Sequence, residues 1–413
     1  MKKILFSLLL FPLLIQGQNT LILDPNFEQA LIDLGIDKDV VDGVVPTASV
    51  NNIQYLNISY KNIVDLTGIE AFTSLQSLNC IHNDITNLPL SQNTNLSILN
   101  CFGNELTQLD LSNNTALTFL NCGFNSLPEL DLSNNINLEH LACESNHLSS
   151  LDLSSNTNLH TIYCNNNLMS QLDLFGLNNL TALNCSYNIL TALNVGFNNN
   201  LTTLNFAYNL LNEINVTQNG ALNYLNCQAN VLNELDLTFN SLLEQLNCAD
   251  NNIKDLDIRT NSMLRGLNCK NNKLRCLNVK NGNNINFMYF YASSNQDLVC
   301  VEVDDETYAN TNWLIHVDPI TTFNHHCSGP CGTANTNDLS IALNVYPNPT
   351  HDLLNIDLGD YNGLITVNVY DLSGRLLFTD NSRSISLYDL NKGAYLVQVN
   401  YENNFQMIQV IKE

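Results

Sequence analysis

Residues 117–137, LTFLNCGFNSLPELDLSNNIN, hold the unit from which most of the chain is built. With Leu117 as position 0, apolar residues stand at +3, +5, +10, +13 and +15, and asparagines at +4, +8 and +18. The register returns every 21 residues, at Leu75, Leu96, Leu138, Leu159, Leu180, Leu201, Leu222, Leu243 and Leu264. Position +3 is Leu or Ile throughout and +8 is always Asn; +5 is Cys in every copy but one, where Phe206 stands. Self-similarity at a fixed period marks a repeat architecture. One such unit cannot bury its apolar edge alone, and stacking turns the Leu columns into a single core. The period-2 spacing of Leu-x-Leu and Leu-x-Cys predicts short strands. Stacked copies pair in parallel about 4.8 Å apart, for a sheet roughly 45–50 Å long. The half-unit at +13 and +15 predicts a strand on a second face, with little room for helix. The +8 Asn falls where the chain turns, and its amide is placed to bond backbone groups of adjacent coils.

This pattern resembles the nested 21-residue class of bacterial leucine-rich repeats, the IRREKO type, with consensus LxxLxLxxNxLxxLDLxxN. Upstream, Ile53, Leu56 and Ile58, then Ile63, Leu66, Gly68 and Ile69, are similar to an opening repeat of internalin-like proteins. Before them, Asp24 as N-cap and Pro25 at the first helical position predict a short helix. Phe27, Ala30, Leu31 and Leu34 give it one apolar face, suited to covering the first coil. The expected fold is mainly β. A leucine-rich-repeat solenoid with parallel strands spans 53–303, a cap with a short helix 18–52, and a C-terminal cap and linker 304–340. A small β-sandwich occupies 341–413.

Nine of the 13 cysteines fill the inward +5 column, where Cys acts as a small hydrophobe. Equal spacing and an odd count argue for packing rather than disulfides, metal or redox chemistry. Cys276, Cys300, Cys327 and Cys331 lie at the C-terminal end and allow three pairings. Cys276 with Cys300, about one coil apart, is the preferred cap disulfide, and Cys300 with Cys327 is its rival. A metal reading of residues 325–331 lacks a second ligand motif, so no metal and no cofactor is expected.

Positions +2, +4, +6 and +7 are expected to point outward. The +4 column is nearly all Asn and reads as a structural amide ladder. The others vary and carry Ile81, His82 and Ile98 beside the candidate partner-binding residues Phe102, Phe119, Phe124, His140, Tyr163, Tyr187, Tyr208 and Tyr224. Aromatic side chains along one surface suit a protein or glycan partner; the alternative is that the +7 rings fold over the turn, half buried. On the second face, +14 repeats Asp at Asp110, Asp131, Asp152, Asp173, Asp236 and Asp257. Bonding to Ser112, Ser133 and Ser154 explains this better than calcium, since one carboxylate per coil without carbonyl-rich loops is a poor calcium site.

Residues 1–17 read as a secretory signal peptide, with Lys2 and Lys3 before an apolar run from Ile4 to Ile15. That run is too short to span a bilayer, and no transmembrane segment is expected in the mature chain. The net charge of −24 argues against nucleic acid or anionic membrane as partner and favours solubility. From Ile341 apolar residues alternate in short stretches between the turn signals of residues 348–349, 373–374 and 392–393. Tyr346, Pro347, Asn348 and Pro349, then Gly374, Gly393 and Lys412, stand in motifs similar to those of the type IX secretion system C-terminal sorting domain, type A. That resemblance implies contact with the type IX machinery, passage across the outer membrane, and release or surface attachment. No GxSxG, HExxH, Walker or dinucleotide signature is present. The expectation is a secreted or cell-surface recognition or adhesion protein and not an enzyme. The alternative is a structural surface protein without a single ligand.

Overall fold

The computed structural model describes residues 18–38, 40–327, 343–358, 363–371, 375–401 and 404–413. The signal segment 1–17, Cys331, the linker before residue 341 and Gly374 lie outside them. The chain divides between Cys331 and Gly332 into two compact units, each described by itself.

The first unit carries a twelve-stranded parallel sheet from Tyr55–Asn57, through Phe119–Asn121, to Tyr289–Tyr291. Each strand is three residues with the middle one, at +3, buried. Leu78 faces Leu99 and Leu99 faces Leu120, so equivalent positions meet coil after coil. The constant period enforces this, because a one-residue slip would turn every inward leucine to solvent. The Leu columns and the nine cysteines join one continuous core, with Phe206 fully buried among them.

Asparagine ladders carry the turns. The +8 amide is buried in every coil. Asn146 shows the pattern: its Nδ2 donates to Cys122 O at 3.1 Å and Cys143 O at 3.2 Å, and its Oδ1 accepts from Leu127 N at 2.9 Å. One side chain thus satisfies three backbone groups in two coils. A second ladder runs at +18, where Asn135 Nδ2 donates to Leu111 O and Asn114 O. The +4 column is different from the expectation. Its amides accept from their own coil two residues on, as Asn121 Oδ1 does from Gly123 N at 3.2 Å. They are local turns, because an outward side chain at +4 cannot reach the buried carbonyls.

The second face also needs correction. Among the described residues a parallel sheet forms there only at the C-terminal end, from Asp255–Asp257, Cys276–Asn278, Cys300–Glu302 and Thr322–Asn324. In earlier coils the leucines at +13 and +15 are buried or nearly so. Backbone groups along this strip are met by side chains instead: Asn114 Nδ2 donates to Leu90 O at 3.1 Å, and Asp110 Oδ1 accepts from Ser112 N at 2.9 Å.

At the N-terminus, strand Asn19–Leu21 pairs with Val44–Pro46, and helix Pro25–Asp33 lies between them in sequence. Asp24 caps that helix with Oδ1, accepting from Asn26 N at 2.7 Å and Phe27 N at 3.2 Å. Its Oδ2 accepts from Val64 N at 2.6 Å and Asp65 N at 3.0 Å, fastening the cap to the first coil. Gly68, at φ +104°, lies against Leu21 O and the Ile22 side chain, where a Cβ has no room. Phe27, Ala30 and Leu31 are buried as expected, but Leu34 is exposed because the helix ends at Asp33. At the other end Trp313 closes the core, its ring 4.3 Å from that of Phe290 and 5.3 Å from that of Phe287.

Among its described residues the second unit holds seven strands in two antiparallel sheets. One is ordered Asn344–Tyr346, Leu353–Asp357, Ser384–Ser386; the other Leu376–Asp380, Ile365–Tyr370, Gly393–Tyr401, Asn404–Lys412. Alternate residues of both sheets, among them Leu354, Ile356, Val367, Val369, Val397 and Val399, form one core. This is the small β-sandwich read from the sequence.

Candidate functional site

The eight candidate partner-binding residues fall into two rows that sequence reasoning did not separate. Phe119, His140, Tyr163 and Tyr224 lie on the outward face of the twelve-stranded sheet, at the +2 or +4 ends of its strands. Phe119 and His140 are 6.2 Å apart by ring centroid, and His140 and the exposed His160 are 6.3 Å apart. Tyr163 is exposed where most coils carry Asn. Further along, the Tyr289 ring lies directly over Gly266, which has no space for a Cβ. Burial, then the neighbouring Tyr224 and Tyr291 phenols, push the ionisation of Tyr289 upward. Tyr289 and Tyr291 extend this face beyond the ten-copy register, which is why a fixed period of 21 missed them.

Phe102, Phe124, Tyr187 and Tyr208 lie instead along the edge where each strand gives way to its turn. The backbone at +7 is left-handed in every coil, with φ +52° at Phe124, +53° at Tyr187 and +56° at Tyr208, and Gly103 filling the position once. This costs a bulky residue roughly 1 kcal/mol. Tyr60, His82, Phe102 and Phe124 form an unbroken run with centroid separations of 4.8, 5.3 and 4.8 Å. The run breaks at Ser145 and Asn166. It resumes with Tyr187 and Tyr208, stacked at 4.2 Å and 9°. Beside them Gln228 Nε2 donates to Tyr208 Oη at 3.3 Å and to Asp250 Oδ2 at 2.8 Å, and Asn271 Nδ2 donates to Asp250 Oδ1 at 2.7 Å. Phe124, Tyr187 and Tyr208 are 41–53% exposed, so the rings stack on one another without folding under.

The remaining polar columns have structural partners. Hydrogen bonds from the hydroxyl and backbone N–H of Ser112 hold the Asp110 carboxyl below its ordinary range, and those of Ser133 and Ser154 do so for Asp131 and Asp152. Among the described residues no three His, Cys, Asp or Glu are grouped to hold a metal ion. All nine ladder thiols are buried. Burial pushes Cys80, Cys185 and Cys248 up to about 12, so these thiols stay protonated and unreactive at neutral pH.

The cap disulfide joins Cys300 to Cys327, with Cα atoms 5.8 Å apart. The preferred pairing of Cys276 with Cys300 is therefore wrong. Leu277, next to Cys276, pairs with Val301, next to Cys300, on adjoining parallel strands, but the Cys300 sulfur is already taken by Cys327. The chain after Thr322–Asn324 instead brings Cys327 back beside Cys300. Cys276 is itself disulfide-bonded.

In the second unit, motif residues distant in sequence converge. Asn348 Nδ2 donates to Gln409 O at 2.8 Å and its Oδ1 accepts from Ile411 N at 2.9 Å. Gly393 pairs with Lys412 across the last two strands. The Lys412 ammonium is buried and donates to the carbonyls of Leu387, Tyr388 and Leu390. Tyr346 is half exposed and leads into Pro347 and Pro349.

Residues 344–413 match the family model of the secretion system C-terminal sorting domain. No curated protein matches the chain. Among solved structures, it is similar to the functional domain of InlJ from Listeria monocytogenes, which includes a cysteine ladder. Identity is 26% over 96% of this chain and 99% of that one, with a TM-score of 0.64. A leucine-rich-repeat protein of Leptospira interrogans is 23% identical over 62% of this chain and 74% of that one, TM-score 0.51. The leucine-rich-repeat ectodomain of a membrane receptor kinase from Arabidopsis thaliana is 20% identical over 68% of this chain and 36% of that one, TM-score 0.56. The latter two bear on the fold alone.

Proposed function

From a leucine-rich-repeat chain that ends in a type IX sorting domain, we propose a recognition protein that binds a protein partner across the face of its twelve-stranded sheet. The sorting domain directs the chain by type IX secretion to the cell surface or the extracellular space. No helix among the described residues is long and apolar enough to cross a membrane. The single observation that carries the reading is the division of labour within each strand. The inward residue is invariably a core hydrophobe, while the +2 position beside it runs through Ile98, Phe119, His140, Thr161, Tyr224 and Gln245 on identical backbone. Variation on a rigid, repeated frame is where specificity is placed, and aromatic residues are enriched at the centre of protein interfaces. No Lys or Arg occurs between Asn62 and Ile253. The partner's contact surface is therefore rich in Lys and Arg.

The test is a screen of the mature chain against arrays of surface proteins and glycans, followed by titration. Saturable protein binding, lost in Phe119→Ala/Tyr163→Ala/Tyr224→Ala and weakened by salt, supports the reading. Binding to glycans alone transfers the site to carbohydrate. No saturable ligand, or one indifferent to the triple change, leaves the structural surface protein as the better account.

A further inference from the structure

A third outward row runs at +9, one residue beyond the buried +8 asparagine. Its N–H groups donate to the +10 carbonyl of the preceding coil, as Ile189 N does to Met169 O at 3.0 Å and Leu210 N to Leu190 O at 2.8 Å. Successive +9 residues therefore stand one coil apart. Over four adjoining coils the row is aliphatic, with Leu168, Ile189, Leu210 and Val231 each 42–54% exposed. The backbone does not require this. Other coils place Asp84, Glu105 and Lys273 at the same position, all exposed. The stacked Tyr187 and Tyr208 adjoin the aliphatic stretch at +7.

The row is acidic at one end, apolar in the middle and basic at the other. Its basic end belongs to the segment Lys254 to Lys280, which holds seven Lys and Arg after a stretch that has none. Reversed end for end, such a row is its own complement. The spacing is also symmetric, since Glu105 and Lys273 each lie four coils from Ile189. We propose that a second copy of this chain docks antiparallel on this edge, about a two-fold axis near Ile189. Leu168 of one copy then meets Leu210 of the other, and Glu105 meets Lys273 at both ends. A two-fold contact of this kind is self-complementary and closes, which prevents open-ended growth. From Glu105 to Lys273 is about 40 Å at ~4.8 Å per coil. A strip of that length buries on the order of 600 Å² per copy, the lower end of a stable interface. The sheet face lies outside this contact and stays open to another partner.

The experiment is sedimentation of the full mature chain across concentrations up to about 100 μM, where a contact of this size is populated, with thermal unfolding as a folding control. The expected result is a monomer–dimer equilibrium. Leu210→Asp weakens it about a hundredfold by burying unpaired carboxylates at the centre. Glu105→Lys and Lys273→Glu each weaken it about tenfold, and the double exchange restores it. A monomer at every concentration overturns the proposal. So does a dimer indifferent to Leu210→Asp, or one that the double exchange fails to restore.

Discussion

The solenoid and the sorting domain are both β structures, but they are held together on opposite plans. In the solenoid each strand of a sheet pairs with the equivalent strand of the adjoining coil, and each coil repeats the same few bonds to its neighbour. In the tail the last strand, Asn404–Lys412, closes onto Gly393–Tyr401, while its end is held by Asn348 and by the carbonyls of residues 387–390. Damage to a solenoid is therefore local and graded, because each repeat contacts only its neighbours. Damage to the end of the tail removes contacts from the whole sandwich.

The two plans part most clearly at the C-terminus. Deleting residues 409–413 removes Val410 from the core, the backbone partners of Asn348, and the Lys412 ammonium that binds the carbonyls of Leu387, Tyr388 and Leu390, a loss expected to exceed about 5 kcal/mol. Calorimetry should show the tail transition vanish while the solenoid transition stays, and fractionation should show the chain retained inside the cell. Asn146→Leu strands the buried Leu127 N–H and takes one of two donors from each of the Cys122 and Cys143 carbonyls, which keep Asn125 and Asn167; it is expected to cost the solenoid about 4 kcal/mol, read by chemical denaturation. Opening Cys300–Cys327 with Cys300→Ser should cost about 3 kcal/mol, located by hydrogen exchange in the terminal coils.

Asp24→Ala removes a cap and the tie to the first coil, for about 2 kcal/mol. Its pH dependence follows from the carboxyl. Burial raises its pKa, but the N–H groups of Val64, Asp65, Asn26 and Phe27 outweigh this and hold it below the ordinary 3.8. The stabilisation is thus complete above that value and is lost as pH falls through the lower folded pKa. Wild type and Asp24→Ala should converge in stability toward acid. The smallest effect sharpens the comparison of columns: Asn121→Ala, at outward +4, should change stability by under about 0.5 kcal/mol although it is the same residue type as Asn146.

That pair also shows how far the sequence could be read. The period of 21, the inward Leu and Cys columns and the role of the +8 amide are legible, since identical residues at identical spacing must occupy identical environments. Asn121 and Asn146 look equally repetitive in sequence. Only the structure shows that the outward Asn121 bonds within its own coil, whereas Asn146 bridges two. The division of the aromatic residues into a sheet row and an edge row was hidden for a related reason. Positions +4 and +7 both read as outward, and the left-handed turn that parts them leaves its mark only at Gly103.

The amino-acid sequence by itself determined that this chain is a stacked array followed by a separate β tail, because periodic burial admits no other arrangement of so regular a pattern. The tertiary structure decided the rest. It paired Cys300 with Cys327, because the chain after Thr322–Asn324 returns beside Cys300, and it restricted the second sheet to the last coils. It also drew the aliphatic +9 row into one edge between acidic and basic ends. These are facts of distance between residues remote in sequence, and distance is what folding adds.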